Sequence, residues 1–177
     1  ADNLTLNSLA LKLTRDLPRT GDKSVAALDR VTNFVDFGTE VQIEQPGKEE
    51  RTDALRMGRG KVLIGKKWHV PMVVMRRPDS KGRTILINDG GRAVSAKKIE
   101  ELLEKGQVVY VIDLWYFGES KPIEKDWLWA LMLDTVGQRP IGLQAGQLVA
   151  IARDLYAEKK PGSPLNALSI CAIGPRS

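Results

Sequence analysis

The chain has 177 residues, of which 42% are hydrophobic and 28% charged, and its formal net charge is +5. These values are typical of one globular domain with a hydrophobic core. The positive charge lies in scattered pairs without interleaved aromatic residues, so we expect no nucleic-acid partner. No apolar run reaches the roughly 18 residues of a membrane span, so we expect no membrane partner either. A single cysteine excludes a disulfide framework and a cysteine metal site.

Residues 1–56 are predicted to form a helical extension followed by a linker. Leucines are frequent before Pro18, and Ser24 is a suitable N-cap for a second helix over residues 25–35. Because the apolar residues of this second helix recur on one helical face, we expect it to pack on the outside of a larger body. Residues 46–50 contain proline, glycine and charged side chains and are predicted to be a loop.

The following domain is expected to span residues 57–177 and to begin with β-structure. Residues 61–64 and 68–75 are rich in valine, isoleucine and methionine, and the short glycine-containing turn between them predicts an antiparallel hairpin. Pro71 lies inside the second strand and cannot donate a backbone hydrogen bond. This favours a position for the hairpin at the edge of the sheet.

Two apolar strands with a helix between them form the predicted centre of the domain. Residues 84–88 and 108–112 are continuous runs typical of strands buried on both faces of a parallel sheet. Ser95 is the expected N-cap of the intervening helix, which completes a right-handed βαβ unit. The first strand runs into a turn that ends at Gly91, and the second runs into Asp113. Since the carboxyl ends of parallel strands meet at one edge, we expect these turns to form a site.

An aromatic patch follows the second strand, and two interpretations of it are open. It is either a cluster that packs over the sheet or a wall of a substrate pocket. The patch consists of Trp115, Tyr116, Phe117, Trp127 and Trp129. Beyond it, residues 141–156 are predicted to form a long helix, and residues 168–173 a short buried strand that stops at Gly174. The predicted apolar stripe of the helix comprises Ala145, Leu148, Val149, Ala152 and Leu155.

This order of elements resembles the amino-terminal half of an α/β-hydrolase domain over roughly residues 57–177. The turn at residues 88–91, Asn-Asp-Gly-Gly, corresponds to the family's His-Gly-Gly-Gly turn, and residues 113–120 are similar to its Asp-x-x-Gly-x-Gly-x-Ser turn. Within this fold the chain is most similar to acetyl xylan esterases and dienelactone-hydrolase-like carbohydrate esterases. The resemblance implies an α/β fold, a partial three-layer α/β/α sandwich that carries the helical extension and the edge hairpin.

The same resemblance implies a serine esterase that acts on acylated carbohydrate without a cofactor or a metal. Gly91 would supply an oxyanion-hole amide, because backbone N–H groups can form such a hole without a histidine. Asp113, Trp115 and Tyr116 would contact the carbohydrate ester substrate. The resemblance further implies a secreted or periplasmic location, with a cytoplasmic one left open.

The nucleophile of this fold is expected in a Gly-x-Ser-x-Gly turn after the strand at residues 168–173. Gly174 and Pro175 match its first two positions, but Arg176 stands where the serine belongs and Ser177 comes one position later. Either Ser177 is the nucleophile, or the turn is not catalytic in the usual way. His69 is the sole histidine and precedes this turn, whereas the triad acid and histidine of the fold follow it.

Two functions therefore stay open. The chain is either a serine esterase whose acid and histidine come from other sequence, or a non-catalytic hydrolase-like domain that acts as a scaffold or ligand-binding partner for an active domain. A sheet that ended at the last predicted strand would expose an edge. We therefore expect the chain to be a fragment of a larger polypeptide, or to pair with a second chain that carries the remaining strands of the hydrolase domain.

Overall fold

The computed structural model describes residues 8, 12, 24–44, 49–52, 54–122, 124–157 and 167–175. The chain divides into two compact units, residues 1–31 and 32–177. Helix α1 (Val25–Thr32) begins where the sequence predicted, and the N–H of Ala27 donates to the Ser24 hydroxyl at 3.2 Å. The helix ends earlier than predicted, at Thr32, because the following residue, Asn33, has a left-handed φ of 52°. Of the leucine-rich helix predicted before Pro18, the structure describes only residues 8 and 12.

Among the described residues, seven strands form one sheet with the order β1-β3-β4-β6-β5-β7, and β2 pairs with β3. The strands are β1 (Val41–Glu44), β2 (Glu50–Arg51), β3 (Arg56–Ile64), β4 (Trp68–Arg76), β5 (Gly82–Asn88), β6 (Gln107–Ile112) and β7 (Leu168–Ile173). The remaining helices are α2 (Ala96–Glu104), α3 (Asp126–Thr135) and α4 (Pro140–Ala157). Strands β1 and β2, which precede residue 57, thus belong to the same sheet as the rest of the domain.

The centre of the sheet is parallel, as the sequence predicted. Strand β5 pairs in parallel with β6 on one side and with β7 on the other, so that Ile85 lies opposite both Tyr110 and Ile170. All seven residues of β5 are buried. This burial on both faces explains why the strand has a continuous apolar run rather than an alternating pattern.

Helices cover both faces of the sheet and give it two hydrophobic cores. On one face, Ile85, Ile87 and Ile112 pack with Ile151 and Leu155 of α4. On the other face, the buried side chains of β5, β6 and α2 form a second cluster, which contains Leu86, Ile99, Leu102, Leu103, Val109 and Val111. The result is a three-layer α/β/α arrangement. In the described ranges, no helix is both long and apolar enough to cross a membrane.

The predicted hairpin is present as β3 and β4, but its expected position at the sheet edge is wrong. Strand β1 pairs with the outer side of β3, and β6 pairs with β4. Pro71 is tolerated because the ladder between β4 and β6 ends at the pair Met72 and Ile112. The Pro71 carbonyl accepts a hydrogen bond from Asp113 N–H at 3.1 Å. The nitrogen of Pro71 therefore faces the same neighbour, but β6 has already ended there and needs no donor from Pro71.

Helix α4 has the predicted extent but a different buried face. Of the five predicted stripe residues, only Leu155 is fully buried. The buried face also includes Gly142 and Gly146, because the backbone of residues 32–35 lies directly against them. The Val35 N–H donates to the Gly142 carbonyl at 3.3 Å. Two glycines at i and i+4 thus allow a backbone-to-helix contact that larger residues would prevent.

Asp36 forms an ion pair with Arg153 of α4, next to the contact between residues 32–35 and the helix. This ion pair predicts that the stability of the protein depends on pH. The Gly38 N–H and the Arg153 guanidinium both donate to Asp36 Oδ1 at 2.9 Å and lower the pKa of Asp36 below its ordinary value of 3.8. A lowered carboxyl pKa contributes stability that is fully present above the unfolded pKa and is lost as the pH falls through the folded pKa. Asp36→Asn should therefore lower the melting temperature at pH 7, with the difference from wild type vanishing in acid.

The neighbouring Asp154 provides a control of opposite sign. Burial raises the pKa of Asp154, so its charged form is disfavoured in the folded protein. Asp154→Asn should therefore raise the melting temperature at pH 7, and the gain should shrink as the pH falls and the aspartate becomes neutral. Thermal melts at several pH values, followed by circular dichroism, measure both effects. Parallel pH dependence of the two variants would contradict the assignment.

Candidate functional site

The carboxyl ends of β5, β6 and β7 meet at one rim of the sheet, where a cavity of about 640 Å³ lies. Ile87 at the end of β5, Leu114 after β6 and Pro175 after β7 contribute to its wall. Tyr116 and Phe117 close one side, and the amino-terminal half of α4 closes another. We call this cavity the rim pocket. Its position is the usual one for ligand binding in open α/β sheets.

Asp113 organises the turns around the rim pocket. Its side chain is 1% exposed, and its carboxylate accepts hydrogen bonds from the Arg92 N–H and Nε, both at 2.9 Å, and from the Glu119 N–H at 3.0 Å. The Asp113 carbonyl accepts a further bond from the Ser120 hydroxyl at 2.9 Å. These contacts occupy the carboxylate and give it a turn-capping role, while its predicted contact with substrate stays a prediction.

Two glycines allow the turns to close around this carboxylate. A Cβ on Gly118 would lie 2.5 Å from Asp113 Cγ, and a Cβ on Gly91 would collide with the backbone of Gly118. Both glycines have positive φ values, 85° at Gly91 and 47° at Gly118. Their lack of a side chain therefore serves both the conformation and the packing of the two turns.

The amides of the turn after β5 are all engaged within the protein. Gly91 N–H donates to the Asn88 carbonyl at 2.8 Å, and Gly90 N–H donates to Asn88 Oδ1 at 2.9 Å. Ser95 is the N-cap residue of α2, as predicted, but its hydroxyl donates to the Gly91 carbonyl at 3.0 Å and makes no capping bond to the helix. An oxyanion role for Gly91 stays a prediction, and it would require its N–H to leave Asn88.

Two glutamines of α4 hold Trp115, and the sequence analysis missed both. Gln147 Oε1 accepts a hydrogen bond from the Trp115 N–H, and Gln144 Nε2 donates to the Trp115 carbonyl, each at 2.8 Å. Gln147 is fully buried among the apolar residues of α4. A glutamine on an otherwise apolar helix face could have indicated this contact, since a buried polar side chain requires a hydrogen-bond partner.

Tyr116, the residue after Trp115, has a strained backbone and a buried hydroxyl. Its φ is 74°, a left-handed value that is costly for a residue with a bulky side chain. Its N–H donates to the Ser120 carbonyl at 3.2 Å, which helps to hold the turn. The hydroxyl oxygen is buried and has no hydrogen-bond partner among the described residues, and other parts of the residue line the rim pocket.

The residues of the aromatic patch lie in three different environments. Tyr116 and Phe117 line the rim pocket, whereas Trp115 packs edge to face against Trp68, with ring centroids 6.2 Å apart. On α3, Trp127 and Trp129 are 62% and 47% exposed. Only the first group therefore lies where a substrate wall was expected.

The candidate nucleophile Ser177 and the only histidine, His69, are not brought together by the described residues. Ser177 and Arg176 lie outside the described residues, two and one positions after Pro175. His69 is exposed on β4. Within the described part of the chain, no three or more His, Cys, Asp or Glu side chains are grouped so that they could hold a metal ion.

The parallel core, the antiparallel β1–β4 half and the two helical layers define an α/β-hydrolase-like fold. The crystal structure of a "putative acetyl xylan esterase" from Bacteroides fragilis NCTC 9343 is similar, with a TM-score of 0.62 and 10% identity over 83% of this chain and 44% of that chain. The fold is thus acetyl xylan esterase-like, as the sequence resemblance implied. This chain spans less than half of that neighbour's length.

A cold-adapted esterase from an Arctic intertidal metagenomic library, solved in complex with PEG, matches with a TM-score of 0.49 and 17% identity. That match covers 75% of this chain and 56% of the esterase chain. No protein-family model and no curated protein matches the sequence. At these identities the likeness to the solved structures is one of fold.

Proposed function

We propose that this chain contributes the pocket and the nucleophile of a serine esterase acting on acylated carbohydrate. The observation that carries the proposal is the rim pocket at the carboxyl edge of three parallel strands, with Pro175 in its wall. Ser177 follows Pro175 by two residues. This closeness in the sequence to a residue of the pocket wall supports Ser177 as the candidate nucleophile.

The chemistry would follow the usual course of acyl transfer. The Ser177 hydroxyl would give its proton to a base and attack the ester carbonyl, and backbone N–H groups would stabilise the oxyanion. The bond to the sugar oxygen would then break, the sugar would leave as an alcohol that takes up the proton, and water would hydrolyse the acyl-serine to the carboxylic acid. A general base and a base-orienting acid are needed as well. The Asp113 carboxylate is paired with Arg92, so it does not orient a base. The only histidine in the sequence, His69, is exposed on β4.

The proposal therefore includes a partner sequence, from the same polypeptide or from a second chain, that supplies the acid and the histidine. In the described residues, the outer edge of β7 pairs with no other strand, and Ile170 on that strand is 53% exposed. An edge strand of this kind accepts a further strand readily. Such an addition would extend the sheet on the side next to the rim pocket.

The test is covalent labelling with a fluorophosphonate and hydrolysis of p-nitrophenyl acetate, both measured on the protein together with the partner sequence that supplies the acid and the histidine. We expect labelling of the wild-type protein that disappears in Ser177→Ala. The control is Ser169→Ala, which makes the same substitution at an exposed serine on β7. Mass spectrometry of the labelled peptide identifies the site. Labelling that survives Ser177→Ala, or its absence in the wild type, would contradict the serine mechanism.

A second candidate function is supported by the hydrogen bonds of the turns. The N–H groups of Gly90, Gly91 and Arg92 are all engaged with Asn88 or Asp113, so none is free to stabilise an oxyanion in this conformation. This favours a non-catalytic hydrolase-like domain that binds a ligand or supports an active domain. Ligand binding without fluorophosphonate labelling would select this function.

A further inference from the structure

Asp89 places a carboxyl group directly against the turn that follows β7. It is the first residue after β5, it is half-buried, and its N–H donates to the Ile173 carbonyl at 3.2 Å. A Cβ built on Gly174 would overlap with all three atoms of the Asp89 carboxyl group. Asp89 thus contacts the end of β7 twice, once through its backbone and once through its side chain.

Gly174 has a backbone conformation that fits this contact. Its φ of 107° lies in the region that residues with a side chain rarely adopt. The glycine directly follows β7, and the next residue, Pro175, lies in the wall of the rim pocket. Because the ring of proline fixes its own φ, little freedom remains between Gly174 and the pocket wall.

The contact lies next to the candidate nucleophile in the sequence. Gly174 matches the first glycine of the Gly-x-Ser-x-Gly turn, and Ser177 follows it by three residues. Catalytic side chains work only when supporting contacts hold them in a productive position. A turn that lacks the complete motif needs such a contact, and Asp89 is a described side chain that touches it.

We propose that Asp89 is a positioning residue: its carboxyl group packs against Gly174 and fixes the direction in which the chain leaves β7 for the rim pocket. The role of the chain beyond Gly174 in catalysis rests on the proposed function, whereas the contact itself requires no catalytic step. The role depends on the shape of the carboxyl group, because the group fills the space beside a glycine. Asparagine has nearly the same shape, so Asp89→Asn should retain the role and Asp89→Ala should lose it.

Hydrogen exchange followed by NMR tests the contact without any catalysis. The N–H of residue 89 is bonded to the Ile173 carbonyl, so its exchange reports how firmly the ends of β5 and β7 stay together. Each rate is corrected for the intrinsic rate of the residue and divided by that of Ile85, in the middle of β5. We expect Asp89→Ala to raise this ratio roughly tenfold, and Asp89→Asn by less than about threefold.

Asp79→Ala is the matched control, because Asp79 is an exposed aspartate in the turn before β5, at the other end of the strand. It should leave the exchange ratio of residue 89 unchanged. An unchanged ratio in Asp89→Ala, or an equal rise in Asp89→Asn, would overturn the inference.

Gly174→Ala tests the same contact from the side of β7. The added methyl group brings backbone strain at the positive φ and an overlap with the Asp89 carboxyl group. Only the overlap disappears when Asp89 is alanine, so a double-mutant cycle separates the two. Measured by urea denaturation, Gly174→Ala should lower the folding equilibrium constant at least about fivefold more in the wild-type background than in Asp89→Ala. Additive effects would overturn the inference.

Fluorophosphonate labelling of the protein together with its partner sequence connects the contact to the proposed function. Asp89→Ala should slow the labelling of Ser177 roughly tenfold, whereas Asp89→Asn and Asp79→Ala should change it less than about twofold. Labelling of Asp89→Ala at the wild-type rate overturns the inference even though the serine mechanism holds. The expected exchange and cycle without labelling of any variant, the wild type included, support the contact and contradict the serine mechanism.

Discussion

Replacing Asp113 with alanine is expected to lower the free energy of unfolding by about 3–5 kcal/mol, the cost of breaking a buried ion pair from one side. The Arg92 guanidinium would lose its bond to the buried carboxylate. The N–H groups of Arg92 and Glu119 would lose their acceptor at the same time. Both turns at the rim are hydrogen-bonded to this side chain. We therefore expect the variant to lose the wall of the rim pocket formed by residues 116–117, in addition to the loss of stability.

Urea denaturation followed by fluorescence measures the effect, with Glu119→Ala as the control. Glu119 also pairs with Arg92, at 2.5 Å, but its side chain is 71% exposed. Exposed ion pairs contribute little, so this variant should cost less than about 1 kcal/mol. Comparable losses in the two variants would show that Asp113 is not the organising residue of the turns.

Gly146→Ala is expected to destabilise the protein by about 3 kcal/mol, at the upper end of the cost of overpacking a core. An added methyl group would meet the Val35 carbonyl oxygen and the Phe37 ring. Backbone cannot move aside as a flexible side chain can, so residues 32–37 would have to separate from α4. In an ordinary helix the same change is stabilising, since alanine is the better helix former.

The reverse substitution at the adjacent position, Ala145→Gly, gives the control. It should cost about 1 kcal/mol from helix propensity, without disturbing the contact with residues 32–35. Chemical denaturation of both variants gives the comparison. A stabilised Gly146→Ala variant would mean that the close approach of Val35 is absent in solution.

The middle of the sheet could be predicted because its sequence signal and its physical cause coincide. Strands buried on both faces need apolar residues without alternation, and β5 and β6 have them. The turns after these strands could be predicted too, since residues 89–91 directly follow the first apolar run and Asp113 directly follows the second. Pro71 gave a wrong prediction because a proline is excluded only where its nitrogen must donate to a neighbouring strand. It lies in the ladder between β3 and β4, and the ladder to β6 stops one residue away.

The contacts that hold the two turns of the rim together are long-range, and no local pattern in the sequence shows them. Arg92 resembles an ordinary surface arginine in the sequence, and only the pairing of β5 with β6 brings it to Asp113. The glycine pair of α4 carried an overlooked signal, since Gly142 and Gly146 recur at one helical turn. That spacing indicates a close approach, but the sequence does not tell which segment approaches.

The order of strands has a consequence for biosynthesis. Strands β3 and β4 are adjacent along the chain and can pair as soon as both have been synthesised. Strand β5, in contrast, finds its second neighbour only when Leu168 comes opposite Arg83, after the ribosome has added all of α3 and α4. During that interval the strand that is most completely buried in the folded domain has one open side, and exposed strand edges of this kind are what chaperones protect in nascent chains.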